Sequence, residues 1–346
     1  MGVVRPGNVV RDRATPLPNP PPQGGREQTE FAARIDFQLT GARLNPRFTL
    51  SHAVMNYRHA FHTGNFADVV KHVVLVRILV HLRAKPAAFR VIDSHAGAGL
   101  YDLGGPEAGR SPEWRGGIHR LLTARIGEPA RALLAPYLDA VGALNRGGPL
   151  TAYAGSPLLI RSFLRAQDRL IACELEPNAA AALARNLAGD RRSKAVAIDG
   201  FAALNAYVPP KERRGLVVID PPFEDAGDFP RLPRALEAAH RKWASGVYLA
   251  WYPIKERAGP DLLARRLRAS GMAKILRAEF RVAAPRSRSE AGPSPDAPER
   301  LRACGLIVIN PPWTLAGELA ALLPELAAVL AEAGGGAERI DWLAGE

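Results

Sequence analysis

The sequence predicts an α/β fold, with a mostly parallel seven-stranded sheet, helices on both faces and a small helical insertion. Three observations support this fold class. Short apolar runs such as Gly215–Ile219, bounded by Gly or Pro, are typical of strands buried on both faces of a parallel sheet. Such runs alternate with helical patterns along most of the chain. Two glycines, Gly97 and Gly99, follow the first predicted strand, where a nucleotide-binding turn is commonly found.

Composition and length are those of a globular protein with a large core. The 346 residues are 47% hydrophobic, and no apolar run approaches the roughly 20 residues of a membrane span. The N-terminus lacks the apolar region of a signal peptide, and both cysteines, Cys173 and Cys304, lie in or directly beside predicted strands. We therefore expect a cytoplasmic protein with buried thiols, no membrane partner and no metal site. We also expect a monomer, although composition does not determine the oligomeric state.

The net charge of +12 is spread over the whole chain. The first 54 residues hold seven arginines and four acidic residues, so they contribute +3 and the remainder carries +9. An excess of positive charge favours a polyanionic partner, and nucleic acid is the first candidate.

Residues 1–54 differ in character from the rest of the chain. The segment Pro16–Gly25 is dominated by proline and glycine and is suited to neither helix nor strand. We interpret 1–54 as a disordered extension, with the alternative that Met55 is the natural start. Residues 55–346 are then one domain, with the helical insertion at about 104–150.

The first helix is predicted from Phe66 to Leu82. Asn65 is suited to cap it, and apolar residues recur along it with helical spacing. Lys71 and His72 fall in its second turn. The next element is a strand over 89–94, followed by the turn that contains His95 and the two glycines. The turn lacks the third glycine of a dinucleotide fingerprint, which argues against NAD.

Three strands beyond the insertion end in a carboxylate. A helix over 155–167, with Ser156 as its N-cap, leads into the first of these strands, which ends at Glu174. An acid at this position commonly binds ribose hydroxyls about 20 residues past the glycine turn, and the insertion explains the longer separation here. Glu176 is a competing candidate. Asp199 ends the next strand, where it can accept from a cofactor adenine amine or cap the following helix.

The third carboxylate belongs to the string Asp220-Pro-Pro-Phe223. Asp220 and a backbone carbonyl of Pro221 or Pro222 can accept the two N–H groups of an exocyclic base amine, which favours its pyramidal, nucleophilic form. The prolines stiffen the turn, and Phe223 offers a face for base stacking worth about 1–3 kcal/mol. The string Asn310-Pro-Pro-Trp313 is a rival, but it follows one of the last strands, where a cofactor site is not expected.

The alternation continues to the C-terminal region. The sequence predicts helices at 232–243 and 261–269, strands at 246–252, 274–283 and 305–309, a loop at 284–300, and a final helix to about 333.

Taken together, these strings resemble the J-type methyltransferases of large-subunit ribosomal RNA. The resemblance covers roughly Met55 to the C-terminus and is carried by eight strings: Tyr57–His72, Asp93–Gly99, Tyr153–Leu158, Asp199–Phe201, Arg214–Gly215, Ile219–Pro222, Trp251–Pro253 and Ile309–Trp313. It implies a Rossmann-like class I fold that uses S-adenosyl-L-methionine to methylate the N6 amine of adenine 2030 in 23S rRNA, either free or in an assembling subunit.

The same resemblance implies residue roles. The residues implied at the cofactor are Lys71, His72, His95, Gly97, Ser156, Glu174, Asp199, Gly200 and Asp220. Asp220, with Pro222 and Phe223, forms the catalytic string, and Asp220 is implied as the proton acceptor. Tyr57 and Arg58 are implied to contact the substrate RNA. The family commonly has Tyr where this chain has Phe223.

Two rival functions remain open from the sequence. The first is the same chemistry on another base, either N2 of guanine in rRNA or N6 of adenine in DNA. The second is a non-catalytic RNA-binding protein, against which the intact Glu174, Asp199 and Asp220 argue.

Overall fold

The computed structural model describes residues 1–2, 62–224, 227–284, 300–332 and 335–345. The chain divides into two units, Met1–Ala53 and Val54–Glu346, and every described helix and strand belongs to the second. Tyr57, Arg58, most of the predicted extension and most of the loop at 284–300 lie outside the described residues.

A large sheet forms the centre of the second unit. The strands are β1 Arg90–Asp93, β2 Leu100–Asp102, β3 Ala152–Ala154, β4 Arg169–Glu174, β5 Ser193–Ala197, β6 Gly215–Ile219, β7 Val247–Pro253, β8 Ile275–Arg281, β9 Ala303–Ile309 and β10 Ala337–Ala344. Eight of them form one sheet in the order β10-β8-β9-β7-β6-β1-β4-β5. The five neighbouring strands β7, β6, β1, β4 and β5 are parallel to one another. In contrast, β9 runs antiparallel to β7 and β8, and β10 runs antiparallel to β8.

Helices cover both faces of this sheet. They are α1 Phe66–Arg83, α2 Pro106–Arg110, α3 Ile118–Thr123, α4 Ala130–Leu144, α5 Ser156–Phe163, α6 Pro177–Leu187, α7 Gly200–Tyr207, α8 Asp228–Lys242, α9 Ala258–Ala269 and α10 Leu315–Leu330. Neighbouring strand residues point to opposite faces, so Val91 lies in the core cluster that includes residues of α1, α4, α5 and α10, and Ile92 lies in the cluster that includes residues of α8 and α9. This two-sided burial is why the central strands read as continuous apolar runs.

The predicted α/β class with a mostly parallel sheet is confirmed, but the sheet has eight strands where the sequence predicted seven. The additional strand is β10, which pairs along the sheet edge with β8. Leu343 is its one buried residue, so the strand carries little of the alternating apolar signal that identifies strands in a sequence. None of the described helices has the length and apolar character of a membrane span.

The helices α2, α3 and α4 lie between β2 and β3, which pair with each other as a small antiparallel sheet. Leu134, Tyr137 and Val141 of α4 are buried in the same core cluster as α1 and α10. The helices in the range of the predicted insertion are therefore anchored to the main core.

The start and end of α5 differ from the prediction. Gly155 is the N-cap, with extended backbone, and Ser156 is the first helical residue, so the Ser156 side chain makes no capping hydrogen bond. The helix ends at Phe163 and not near Gln167. Since Gly155 also donates its N–H to the Gly99 carbonyl at 2.8 Å, the glycine turn fixes where the helix begins.

Candidate active site

A cavity of about 680 Å³ lies beyond the carboxyl ends of β1, β4 and β6. This size is within the range of small-molecule and cofactor sites. Ten of the residues singled out in the sequence line it: Lys71, His72, His95, Gly97, Ser156, Glu174, Asp199, Gly200, Asp220 and Pro222. Phe223 is not part of that lining. The fold thus brings residues from six separate chain segments to one place.

The glycine turn forms one wall of the cavity. Gly97 and Gly99 have φ angles of +61° and +81°, which favour glycine. A side chain at Gly97 would collide with the hydroxyl of Tyr101. The Gly97 N–H donates to Oε2 of Glu174 at 2.8 Å, so the turn and the end of β4 are directly joined.

Glu174 is held by three backbone donors. Besides Gly97, the N–H groups of Leu175 and Glu176 donate to its Oε1, each at 2.8 Å. The competing candidate Glu176 instead caps α6 by accepting from the N–H groups of Asn178 and Ala179. Both acids line the cavity, but only Glu174 is joined to the glycine turn, whereas Glu176 serves as the cap of its own helix.

Asp199 has the capping role that was considered for it, and its side chain also binds an arginine. Its Oδ1 accepts from the Ala202 N–H at 2.8 Å, which caps α7, and from Arg231 at 3.1 Å. The Arg231 guanidinium lies 4.0 Å from the centre of the Phe201 ring. Asp199, Phe201 and Arg231 all line the cavity, although the sequence patterns identified only Asp199.

His95 is held in a defined state. Its Nδ1 lies 2.8 Å from the hydroxyl of Ser94, which itself donates to the Val218 carbonyl at 2.9 Å. Because the Ser94 hydroxyl proton is donated to Val218, His95 must carry its proton on Nδ1 and donate it to the Ser94 oxygen. Burial lowers the pKa of His95 to about 4, which keeps the ring neutral. A side chain at Gly200 would collide with the His95 ring, which explains the glycine at that position.

Asp220 lies at the end of β6 and is bound by a lysine from α1. Lys71 Nζ is 2.5 Å from Asp220 Oδ2 and 2.9 Å from Asp68 Oδ1. Burial alone would lower the pKa of Lys71, but the two carboxylates outweigh it and hold that pKa well above its ordinary value. Asp68 also accepts from the Gly64 N–H at 2.9 Å. The Asn65-x-x-Asp68 spacing, which is typical of a capping box, is the signal that would have identified Asp68.

Phe223 has a strained backbone and an aromatic environment. Its φ of 52° is rare for a non-glycine residue. Its ring centroid lies 4.8 Å from that of Phe229 and 6.0 Å from that of Trp251. The ring thus belongs to an aromatic cluster beside the cavity.

The second Pro-Pro-aromatic string lies at the opposite edge of the sheet. Because β9 is antiparallel to β7, its last residue pairs with Tyr248 near the start of β7. The Asn310 side chain donates to the carbonyls of Ala244 and Gly246, at 2.7 and 2.8 Å. Asn310 therefore has a structural contact far from the cavity residues.

Asp93, the last residue of β1, was not assigned a role from the sequence. It is fully buried, and within the described part of the chain no donor meets hydrogen-bond geometry with either carboxylate oxygen. Burial raises the pKa of Asp93 from 3.8 to about 7, and the nearby Ser156 hydroxyl only partly offsets this rise.

Replacing Asp93 with Asn is expected to stabilise the protein increasingly as pH rises from about 4 to about 7. In that range the unfolded carboxyl is ionised while the native one is protonated, so wild-type stability falls with rising pH. The expected gain is about 2–4 kcal/mol above about pH 7, read from urea unfolding at several pH values.

The control for this change is Asp168→Asn. Asp168 is also buried, but Arg165 holds its pKa below the usual range against the opposing effect of burial. This variant should lose stability near neutral pH, and the loss should shrink as pH falls through the ordinary carboxyl pKa. A pH-independent effect of Asp93→Asn would contradict the predicted burial of a protonated carboxyl.

This architecture is that of a Rossmann-like class I methyltransferase: a mostly parallel sheet whose carboxyl edge carries a glycine turn and the carboxylates of Glu174, Asp199 and Asp220. Residues 86–344 match the family described as "Ribosomal RNA large subunit methyltransferase D, RlmJ", and the chain belongs to this family. The predicted family, the methyltransferase class and the cofactor S-adenosyl-L-methionine are thereby confirmed.

Similar proteins support the assignment over nearly the whole of their length. Two proteins named "Ribosomal RNA large subunit methyltransferase J", from Haemophilus influenzae and Escherichia coli, are each 38% identical to this chain. The matches cover 85% of this chain and 100% of each relative. A crystal structure of a Legionella pneumophila protein superimposes with a TM-score of 0.71 at 32% identity, covering 81% of this chain and 98% of that one.

Proposed function

We propose that this protein methylates N6 of an adenine in 23S rRNA, with adenine 2030 as the expected target. The observation that carries the proposal is the placement of Asp220. It directly follows β6 at the cavity, precedes two prolines and is bound by Lys71. The family and its named relatives support ribosomal RNA as the substrate class.

The cavity suits a cofactor that contains a nucleoside. The positive-φ glycine turn leaves room for close backbone approach, and Glu174 and Asp199 place carboxylate oxygens at the ends of adjacent strands. In the proposed arrangement Glu174 accepts from the ribose hydroxyls, and Asp199 accepts from the adenine amine. S-adenosyl-L-methionine supplies an electrophilic methyl group.

Asp220 then activates the target amine. Lys71 holds Oδ2, which leaves Oδ1 to accept one N–H of the adenine amine, while a proline carbonyl accepts the other. S-adenosyl-L-methionine would supply the methyl group, so the new N–C bond would form at the expense of the sulfonium S–C bond. A neutral arylamine is far less acidic than a carboxylic acid, so the proton leaves as or after the methyl arrives, with Asp220 as its first acceptor.

The direct test is a labelled-methyl transfer assay with ribosomal RNA from a strain that lacks the modification, followed by nucleoside mass spectrometry. The expected product is N6-methyladenosine at one large-subunit position. Methylguanosine would overturn the proposed base. Transfer to DNA alone, or cofactor binding without transfer to free RNA or ribosomal precursors, would overturn the proposed substrate.

The proposal assigns base stacking to Phe223. Replacing Phe223 with Ala is expected to lower kcat/KM for RNA by about 10–100-fold, because stacking on a base contributes about 1–3 kcal/mol. Phe223→Tyr should keep the rate within about threefold, since the ring face is retained. Cofactor affinity, measured by calorimetry, should not change in either variant. A Tyr variant as slow as the Ala variant would argue against stacking.

The remaining proposed contacts are with the substrate RNA. Tyr57 and Arg58 belong to the segment before α1, and we expect Tyr57 to contact RNA near the active site. The net charge of +9 beyond residue 54 is suited to phosphate binding.

A further inference from the structure

A buried chain of hydrogen bonds connects the helices of the insertion to the cavity. The Tyr137 hydroxyl lies 2.8 Å from the Tyr153 hydroxyl, which lies 2.7 Å from His72 Nδ1. The three residues are no more than 1% exposed. His72 lines the cavity, whereas Tyr137 lies on α4, more than sixty residues after His72 in the sequence.

The chain passes through the small antiparallel sheet that supports the glycine turn. Tyr153 lies on β3 directly opposite Tyr101 of β2. The Tyr101 hydroxyl accepts from the Ala98 N–H at 3.2 Å, inside the glycine turn. The same small sheet therefore contacts the glycine turn on one strand and His72 on the other.

The direction of donation along this hydrogen-bond chain depends on which groups are available at its two ends, Tyr137 and His72. If Tyr137 donates to Tyr153 and Tyr153 donates to His72 Nδ1, both hydroxyl protons have an acceptor. The reverse order would have Nδ1–H donate to Tyr153 and Tyr153 to Tyr137, so that the buried Tyr137 proton would need a further acceptor. The first order instead places the remaining donor, Nε2–H, on a residue that lines the cavity. Burial raises the pKa of both tyrosines far above neutrality, so both keep their protons.

We propose that Tyr153 and Tyr137 are positioning residues that fix His72 as its Nε2–H tautomer. The proposal rests on the proposed function of the cavity as the S-adenosyl-L-methionine site. With Nδ1 accepting from Tyr153, His72 presents a hydrogen-bond donor at Nε2 to an acceptor group such as the cofactor carboxylate. Packing of α4 and affinity for the cofactor are then coupled through two hydroxyl groups.

His95 has the opposite tautomer in the same cavity. Its Nδ1–H donates to Ser94, so its Nε2 is an acceptor. The two histidines therefore offer complementary groups, a donor at His72 and an acceptor at His95. His95 also serves as an internal reference for any measurement of the His72 tautomer.

The tautomer is tested by two-bond proton–nitrogen correlation spectra of ¹⁵N-histidine-labelled protein at about pH 8, where ordinary histidines are neutral. We expect the Nε2–H pattern for His72, assigned with a His72→Asn variant, and the Nδ1–H pattern for His95. In Tyr153→Phe only the His72 signals should change. An Nδ1–H pattern at His72 in the wild type, or unchanged His72 signals in Tyr153→Phe, would overturn the proposal.

The second readout is the dissociation constant for S-adenosyl-L-methionine. Tyr153→Phe is expected to raise it about 3–10-fold, the effect of one buried hydrogen bond, and Tyr137→Phe less, because Tyr153 keeps its own proton. The matched control is Tyr248→Phe, which removes a buried hydroxyl bonded to the Ala239 and Trp243 carbonyls and should leave affinity unchanged.

The two readouts separate this inference from the proposed function. Equal affinities of wild type and Tyr153→Phe would overturn the inference while leaving the cofactor site intact. The spectra need no cofactor. Failure of the wild type to bind S-adenosyl-L-methionine would therefore count against the proposed cofactor site, while the spectra would still test the His72 tautomer. If Tyr153→Phe does not fold, the wild-type spectrum decides, because an Nδ1–H pattern at His72 would overturn the inference.

Discussion

Replacing Asp220 with Asn is expected to slow methyl transfer by about 10²–10³-fold, the scale at which a preorganised polar group contributes to a transition state. The amide is nearly the same size, but it is uncharged and a weaker acceptor for the target N–H. Lys71 would lose one of its two carboxylate partners and keep Asp68. Single-turnover transfer at saturating cofactor and RNA measures the effect.

Cofactor affinity of this variant, measured by calorimetry, should remain within about threefold of wild type, since Asp220 acts on the target amine. The matched control is Asn310→Ala, which alters the other Pro-Pro-aromatic string at the opposite sheet edge. Its folded fraction should transfer methyl groups at the wild-type rate. Equal losses of transfer and cofactor binding in Asp220→Asn would assign Asp220 to the cofactor instead.

Replacing Glu174 with Gln is expected to weaken cofactor binding by about 30–100-fold, because hydrogen bonds to a charged acceptor contribute about 1.5–3 kcal/mol. The substitution also places an amide NH₂ group against backbone donors that now point at a carboxylate, those of Gly97, Leu175 and Glu176. Transfer at saturating cofactor should fall less than about tenfold, since binding and not chemistry is affected.

Glu176→Gln is the control for this change. It alters the neighbouring acid that caps α6, so it should lower the free energy of unfolding by up to about 1 kcal/mol and leave cofactor affinity within about threefold. Similar affinity losses in the two variants would mean that the local charge, and not the placement of Glu174, determines binding.

Local signals in the sequence predicted much of the fold. The strand Gly215–Ile219 has the bounds of its apolar run, and α1 begins at Phe66 as predicted, because Asn65 caps it. The start of α5 was wrong because Ser-Pro is a good helix start in isolation, whereas the Gly155–Gly99 contact decides it here. The strand β10 was missed because an exposed edge strand needs little apolar pattern.

The candidate site was likewise predicted only in part. The rule that parallel strands end at one edge of the sheet was enough to bring Glu174, Asp199 and Asp220 together. It gave no means of pairing Lys71 with Asp220 at a separation of 149 residues, or of finding the burial of Asp93. Such contacts depend on how α1 packs across the sheet, which no local pattern records.

The Asp68–Lys71–Asp220 cluster has a consequence for the energetics of the reaction. With the ammonium and both carboxylates ionised, the cluster carries one net negative charge in a largely buried place. In the proposed reaction a positive charge moves from sulfur to nitrogen and none is created. A fixed negative charge beside the amine favours this movement of positive charge, and it requires no reorientation of solvent. In the proposed reaction the cluster would therefore supply a fixed electric field that favours transfer of the methyl group to the amine.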